Sequence, residues 1–361
     1  MSTHAYLCHA TLENELIEEL KRFHPSHRGQ ERVQFSVAVP GVVLQENGPV
    51  FDPAFARQVL PNAKAVICND HETWIQHIYA SCPLEVQDSE IDWAASLHVF
   101  APDAERKGSE PIPSHFFDHL AEQTKKSLTA KIAGRTRKMQ KKGGAQPGPF
   151  LLQVLITGPH KGWVSYTKRI STKQAWPTPL SLWPVPFEAG RAPVVADYNA
   201  PSSAHRKLQE ALMWLNDAFK KTDIVWDAGA APGGWSYEAI SQGAKVYAVD
   251  RGKMDPILKE NSLFYHIKKD AFTTEPTEPV DFLVCDIIET PDRVLGWLKD
   301  FASKHPLRGF IVTLKLKKPL DFKTLEGARR WAEDALTDWQ WRIKNLRNNK
   351  LEVTFMARCS E

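Results

Sequence analysis

From Pro201 onward the chain alternates short apolar strands with helix-length amphipathic segments. That alternation restricts it to a largely parallel, twisted sheet with helices on its faces. Ile224-Val-Trp226, Lys245 to Val249, Phe264 to Lys268, Phe282 to Cys285 and Phe310 to Leu314 read as strands. Between them, Gly234 to Ser241, Arg293 to Ala302 and Thr324 to Leu336 read as helices. Lys207 to Phe219 precedes the first strand as a helix with Leu208, Leu212, Leu215 and Phe219 on one side. Trp341 to Asn345 and Val353 to Ala357 predict a terminal hairpin. Sheets of this kind bind ligands at the carboxyl ends of their strands, near the point where strand order reverses.

The first part of the chain follows a different grammar. Tyr6-Leu7 and Val33 to Leu44, the latter broken by Pro40-Gly41, flank a helical period at Leu12, Leu16, Leu20 and Phe23. These make a βαβ-like α+β domain over residues 1–82. Over 83–170, Leu97 to Phe100, Phe150 to Thr157 and Gly162 to Tyr166 are strand-like, and Phe116 to Ile132 is helical. Residues 171–199 form a linker rich in proline, with Trp176 and Trp183 to pack it down. Residues 200–361 hold the parallel sheet.

With 42% hydrophobic and 25% charged residues the chain has globular composition, which excludes disordered, collagen-like and coiled-coil classes. No apolar run reaches the length of a membrane span. The start, Met1-Ser-Thr-His-Ala, lacks the basic and apolar regions of a secretion signal. Cys8, Cys68, Cys82, Cys285 and Cys359 are scattered and read as reduced thiols, so a cytoplasmic location is expected. Cys68-Asn-Asp-His71 and Cys8-His9 are too short for a zinc site, so no metal is expected, and no Gly-Lys-Ser/Thr phosphate loop is present.

A net charge of +3 conceals an uneven distribution. Residues 106 to 173 hold 14 Lys or Arg against three acids, an excess of 11 that leaves the remainder at −8. Such a segment is the electrostatic footprint of a polyanion such as a nucleic acid, with a solvated helix face kept for solubility as the alternative. Lys131, Arg135, Arg137, Lys138, Lys141, Lys142, Lys168 and Arg169 are the candidates for phosphate contact. Trp163, Tyr166 and Trp176 are candidates for stacking on unpaired bases, with core packing as the competing expectation for each.

The most informative stretch is Asp227-Ala-Gly229-Ala-Ala-Pro232-Gly233-Gly234-Trp235, which follows a strand and opens a helix. Gly229 permits a tight turn, and Gly233 and Gly234 let the helix start close against the sheet. An acid at the strand end repels phosphate but suits a cationic, amino-acid-bearing ligand. Asp250 and Asp270 end the next two strands, where a carboxylate accepts from ribose hydroxyls and from an adenine amino group. Three strand-end acids beside a glycine-rich turn describe a site for S-adenosylmethionine.

A methyltransferase requires an acceptor. Neither an Asn/Asp-Pro-Pro-Tyr motif for base amines nor a Pro-Cys nucleophile for pyrimidine carbon follows the fourth strand, and Cys285 reads as core. Instead Asp286 follows that strand, Lys315 follows Phe310 to Leu314, Lys207 starts the helix ahead of the sheet, and Glu352 precedes the last strand. Two lysines and two carboxylates from four element ends suit convergence on one hydroxyl. A lysine crowded by an ammonium or partly desolvated has its pKa pushed down and can accept a proton, and Lys315 is the candidate for that role.

These residues resemble the FtsJ-like RNA 2′-O-methyltransferases, which carry a Lys-Asp-Lys-Glu tetrad on a Rossmann-like fold. The closer match is the RlmM family, which methylates a cytidine ribose in 23S ribosomal RNA. The resemblance lies in Ala200-Pro-Ser202 with Lys207-Leu, in Asp227 to Trp235, in Val284-Cys-Asp286 with Glu289 and Pro291, in Leu314-Lys315-Leu316 and in Glu352-Val-Thr354. It implies a catalytic tetrad of Lys207, Asp286, Lys315 and Glu352. It also implies a cofactor site built from Ser202, Asp227, Gly229, Pro232, Gly233, Gly234, Trp235, Asp250, Asp270 and Asp286. For residues 1–170 it implies a ferredoxin-like domain followed by a THUMP-like RNA-binding domain. Lys317-Lys318-Pro319 departs from the pattern. The same reaction on another RNA such as tRNA, or a non-catalytic RNA-binding or assembly role, are the alternatives.

Overall fold

The computed structural model describes residues 2–23, 33–81, 97–103, 105–107, 110–112, 115–136, 150–168, 187–317 and 320–359. The described residues up to 191 form one compact unit and those from 192 form a second.

The first unit contains two four-stranded sheets and a small two-stranded ribbon. β1 (Thr3–Leu7), β2 (Gln34–Val39), β3 (Val42–Glu46) and β4 (Gln58–Leu60) pair antiparallel in the order β2-β3-β1-β4. α1 (Glu13–Phe23) makes the crossover from β1 to β2 and buries Leu16 and Leu20. The second crossover, residues 47–57, contains no helix. Buried Glu19 of α1 pins it instead, accepting from Ala54 N (2.6 Å) and Phe55 N (2.9 Å).

β5 (Lys64–Ile67), α2 (His71–Ala80), β6 (Leu97–Phe100), the ribbon β7 (Glu105–Lys107) and β8 (Glu110–Ile112), α3 (His115–Thr136), β9 (Phe150–Gly158) and β10 (Lys161–Lys168) follow. The second sheet runs β5-β10-β9-β6. The division expected at residue 82 is therefore displaced. Lys64–Ile67 pairs with β10, and Trp74 and Ile78 of α2 share a core with Leu97, Leu128, Leu152 and Val154. That strand is short, with one buried residue, so its alternation is too weak to show in the sequence. Part of the expected linker belongs to this unit as well. Asp103, wholly buried, pairs with Arg57 (2.7 Å) and Arg191 (2.8 Å), and Glu188 accepts from Val99 N (3.0 Å).

The second unit is a seven-stranded sheet in the order β13-β12-β11-β14-β15-β17-β16. Its strands are β11 (Ile224–Ala228), β12 (Lys245–Val249), β13 (Phe264–Ile267), β14 (Phe282–Cys285), β15 (Gly309–Leu314), β16 (Trp339–Lys344) and β17 (Val353–Cys359). Its helices are α4 (His205–Leu215), α5 (Gly234–Ser241), α6 (Pro256–Lys259), α7 (Pro291–Lys304) and α8 (Phe322–Ala335). β11 to β15 are mutually parallel, and β14 and β15 are buried throughout, as strands covered on both faces should be. α4 is shorter than the apolar period suggests, because Asn216 turns left-handed and caps it (φ 50°).

Two features place the site. Strand order reverses between β11 and β14, which opens a crevice above their carboxyl ends. β16 returns to β17 through a short loop rather than a helix, so β17 is antiparallel and its first residue, Val353, lies opposite Leu314. Glu352 and Lys315 are thereby brought to the same end of the sheet from opposite chain directions.

Candidate active site

Asp227 stands near the end of β11 and is buried, accepting from Ser236 Oγ of α5 at 2.6 Å. Burial pushes its carboxyl up to about 7; the Ser236 hydrogen bond opposes the rise and the nearby Asp286 charge adds to it. The turn that follows depends on glycine. Gly229 has φ +75°, and a Cβ there would lie 2.1 Å from Ile287 Cγ1, so the segment after Asp286 rides directly over it. Gly234 leaves room for Ser202, whose Oγ would stand 2.3 Å from a Cβ, which presses the Pro201-Ser202 segment against the start of α5. Pro232 follows a cis peptide bond, and Gly233, with φ +119°, leads into the helix.

Asp250, after β12, accepts from Ala231 N (3.0 Å) through one oxygen and from Gly252 N (2.6 Å) through the other. It therefore stiffens the glycine turn, and each oxygen has a further lone pair. Asp270, after β13, accepts from Phe272 N (2.9 Å) and lies 3.7 Å from the Arg251 guanidinium. Trp235, which the motif implies at the cofactor site, has its indole packed into the fold. It is buried, and its indole N–H donates to Ala204 O (2.8 Å), tying the 200–204 segment to α5.

Four side chains distant in the chain meet at the same end of the sheet. Lys207 Nζ lies 3.2 Å from Asp286 Oδ2 and 2.5 Å from Glu352 Oε1. Lys315 Nζ lies 2.7 Å from Asp286 Oδ1 and 3.3 Å from Glu352 Oε2. Each lysine touches both carboxylates, and each carboxylate gives one oxygen to each lysine, a closed ring of alternating charge. The members come from α4, the end of β14, the end of β15 and the residue before β17. Like charges are held apart by unlike ones, which is why the ring closes in this alternation rather than in pairs.

The ring corrects the expected electrostatics of Lys315. Burial alone lowers its pKa, as anticipated, but the Asp286 and Glu352 carboxylates outweigh burial, and the net effect raises it above the ordinary lysine value. In the resting chain Lys315 is an ammonium held between two anions. Cys285, wholly buried in β14, has its thiol pushed up to about 12 by burial and is core, as expected.

Residues that the sequence reading passed over support the ring. Buried Asn345 and Asn349, in the loop between β16 and β17, both donate to Glu352 O (2.6 and 3.4 Å). Clustered asparagines at a turn are the trace they leave in the sequence.

The expected RNA contacts fare differently. Lys131 Nζ lies 5.9 Å from the centre of the Tyr79 ring. Arg135 falls in the last turns of α3 and Lys168 at the end of β10. Arg137, Lys138, Lys141, Lys142, Arg169 and Trp176 lie outside the described residues. Trp163 and Tyr166 are partly buried, each packed against one of the two cores of the first unit. Among the described residues no group of three or more His, Cys, Asp or Glu is arranged to hold a metal ion. No described helix is long and apolar enough to cross a membrane.

Comparison with known proteins supplies the context. A family model described as FtsJ-like methyltransferase matches residues 201–321, a span that includes Lys207, Asp286 and Lys315 and stops short of Glu352. The chain is 29% identical over 238 residues to the ribosomal RNA large subunit methyltransferase M of Thauera aminoaromatica, covering 63% of this chain and 62% of that protein. The proteins of the same name from Azoarcus sp. and Methylococcus capsulatus are 29% identical over 231 residues and 31% over 177. Those matches cover 61% and 47% of this chain, and 60% and 50% of the relatives. The chain thus spans between half and about 60% of the length of these relatives. Strand order, glycine turn and sequence likeness agree: residues 201–321 match the FtsJ-like methyltransferase family, and the chain is similar to ribosomal RNA large subunit methyltransferase M proteins.

Proposed function

We propose that this chain transfers the methyl group of S-adenosylmethionine to a ribose 2′-hydroxyl of RNA, with a cytidine of 23S ribosomal RNA as the target. The observation that carries the reading is the closed Lys207–Asp286–Lys315–Glu352 ring beside the glycine turn at the sheet's switch point. The name shared by the curated relatives supports the choice of RNA, and the excess of 11 positive charges between residues 106 and 173 supports a polyanionic partner.

The donor set suits the cofactor. Asp227 is a buried carboxyl whose ionisation burial disfavours, and a neighbouring cation relieves that penalty. Asp250 and Asp270, at the next two strand ends, keep lone pairs for hydroxyl and amino donors. Ser202, Gly229, Pro232, Gly233 and Gly234 shape the backbone around them, and Asp286 stands where cofactor and acceptor sides meet. When bound, the cofactor supplies a methyl group on a sulfonium centre.

The rest of the work belongs to the ring. One of the Asp286 and Glu352 carboxylates first accepts from the single O–H of the entering ribose, and that O–H competes with the two ammonium groups for the carboxylate oxygen. That competition loosens the hold on Lys315, so its elevated pKa falls toward the range where Nζ can take the hydroxyl proton. Lys207 stays charged and balances the carboxylates. Orientation of two bound reactants is worth about 7–11 kcal/mol of barrier, so fixing the oxygen in line matters more than basicity.

Incubation of total RNA with labelled cofactor, followed by alkaline hydrolysis, tests the reading. Label is expected in alkali-resistant dinucleotides, the mark of a blocked 2′-hydroxyl. Lys315→Ala should lower transfer by about 100- to 10,000-fold while cofactor binding persists. Label in a base would overturn the acceptor, and cofactor binding without transfer to any RNA would favour a non-catalytic assembly role.

A further inference from the structure

α4 contributes more to the ring than Lys207. Three residues further along, on the same side of the helix, Glu210 is only 1% exposed. Its carboxylate is directed at the loop between β16 and β17. One oxygen accepts from Arg347 N (2.8 Å), and the other accepts from Asn348 N (3.2 Å) and Asn348 Nδ2 (2.9 Å). The loop it grips is itself tied around Glu352. Asn345 Nδ2 donates to Lys350 O (2.9 Å) and Glu352 O (2.6 Å), and Asn349 Nδ2 donates to Glu352 O (3.4 Å) and Thr354 Oγ1 (3.0 Å).

A buried carboxylate is costly unless its oxygens are taken up, and two of the three donors here are main-chain amides that a loop of this length would otherwise offer to water. The bond set therefore has two effects. It satisfies Glu210, and it fixes the loop's position along α4. Lys207 sits on that same helix, and the Lys207–Glu352 contact is the closest in the ring.

We propose that Glu210 is a positioning residue for the methyl transfer, setting where Glu352 stands relative to Lys207 by mooring the β16–β17 loop to the helix that carries the lysine. The assignment rests on the 2′-O-methyltransferase reading for its kinetic test and on geometry alone for its structural one. One helix then supplies one ring member directly and a second through a buried clamp. The coupling makes α4 the reference frame for the acceptor hydroxyl.

The test is Glu210→Gln in the full chain, which keeps the shape but presents an amide to at least one of the donors. Methyl transfer to RNA should fall about 10- to 100-fold in kcat, the scale of a small misplacement in an active site. Cofactor affinity should stay near that of the parent, and the thermal midpoint should drop by a few degrees without loss of the fold. In a Glu352→Ala background the same change should have no further effect on kcat, because the residue it positions is gone. A crystal structure of E210Q should show the Glu352–Lys207 contact opened. Additive losses in the double variant, or parent kcat with the contact retained, would overturn the assignment while leaving the reaction intact. If the parent chain transfers methyl to no RNA, the proposed reaction fails, and the Glu352–Lys207 distance in the E210Q crystal decides the assignment by itself.

Discussion

Lys315 and Asp227 both carry a raised pKa in the fold, which keeps the first charged and holds the second toward its neutral form. Lys315 carries a raised pKa because two carboxylates outweigh burial. If it must lose a proton to act, kcat/KM for the cofactor should climb steadily with pH and show no levelling by about pH 9. A plateau reached near neutrality would leave Lys315 as an orienting ammonium only. Asp227 has a folded value of about 7 against 3.8 for an ordinary aspartate, so the fold favours its protonated form. Between those values the native state binds more protons than the unfolded chain, and stability declines as pH rises through the window and is flat above it. Asp227→Asn should remove that decline. Thermal midpoints at pH 5 and pH 8 should lie closer together in the variant than in the parent, and an unchanged gap would count against a buried, protonated Asp227. Neither shift is legible in the sequence, where both residues are ordinary charges. The direction for Lys315 reverses in the fold because its neighbours are Asp286 and Glu352, far along the chain.

At the level of elements, the β11–α5 turn is readable because its constraint is local. Gly229 adopts φ +75° with Ile287 pressed on it, so only a residue without a side chain fits. Gly229→Ala should cost more than about 1–2 kcal/mol in a urea titration, since the left-handed backbone alone costs that much before the clash. It should also weaken cofactor binding, because the turn must move. The β16–β17 hairpin is equally readable as two strands, but its antiparallel return is what carries Glu352 to Lys315. By contrast, β5 and α2 escape a reading of the sequence. A strand with one buried residue gives no alternation, and it is held by pairing with β10, nearly a hundred residues away.

For the whole molecule, charge distribution is the readable property. The basic window from residue 106 to 173 is a surplus of positive charge of the kind that suits a polyanion, visible before any fold is known. Neutralising Arg135, Arg137, Lys138, Lys141 and Lys142 together should weaken RNA binding and leave cofactor affinity unchanged. The slope of log affinity against log salt should become shallower by about 0.7 for each phosphate that these side chains had neutralised. An unchanged slope would assign these residues to solubility. In the first unit Trp163 and Tyr166 are partly buried against its cores, the competing expectation for each.

Fold class, the glycine turn and the identity of the four ring residues are all present in the linear pattern, because periodicity, turn stereochemistry and residue type are local quantities. Their arrangement is not. Alternating pairing of Lys207, Asp286, Lys315 and Glu352, the reversal of the Lys315 shift, the structural duty of Trp235 and the Glu210 clamp all depend on distances between elements. Electrostatic energy and hydrogen bonding depend on separations in space, and the chain acquires those separations only when the sheet closes and β17 turns back beside β15.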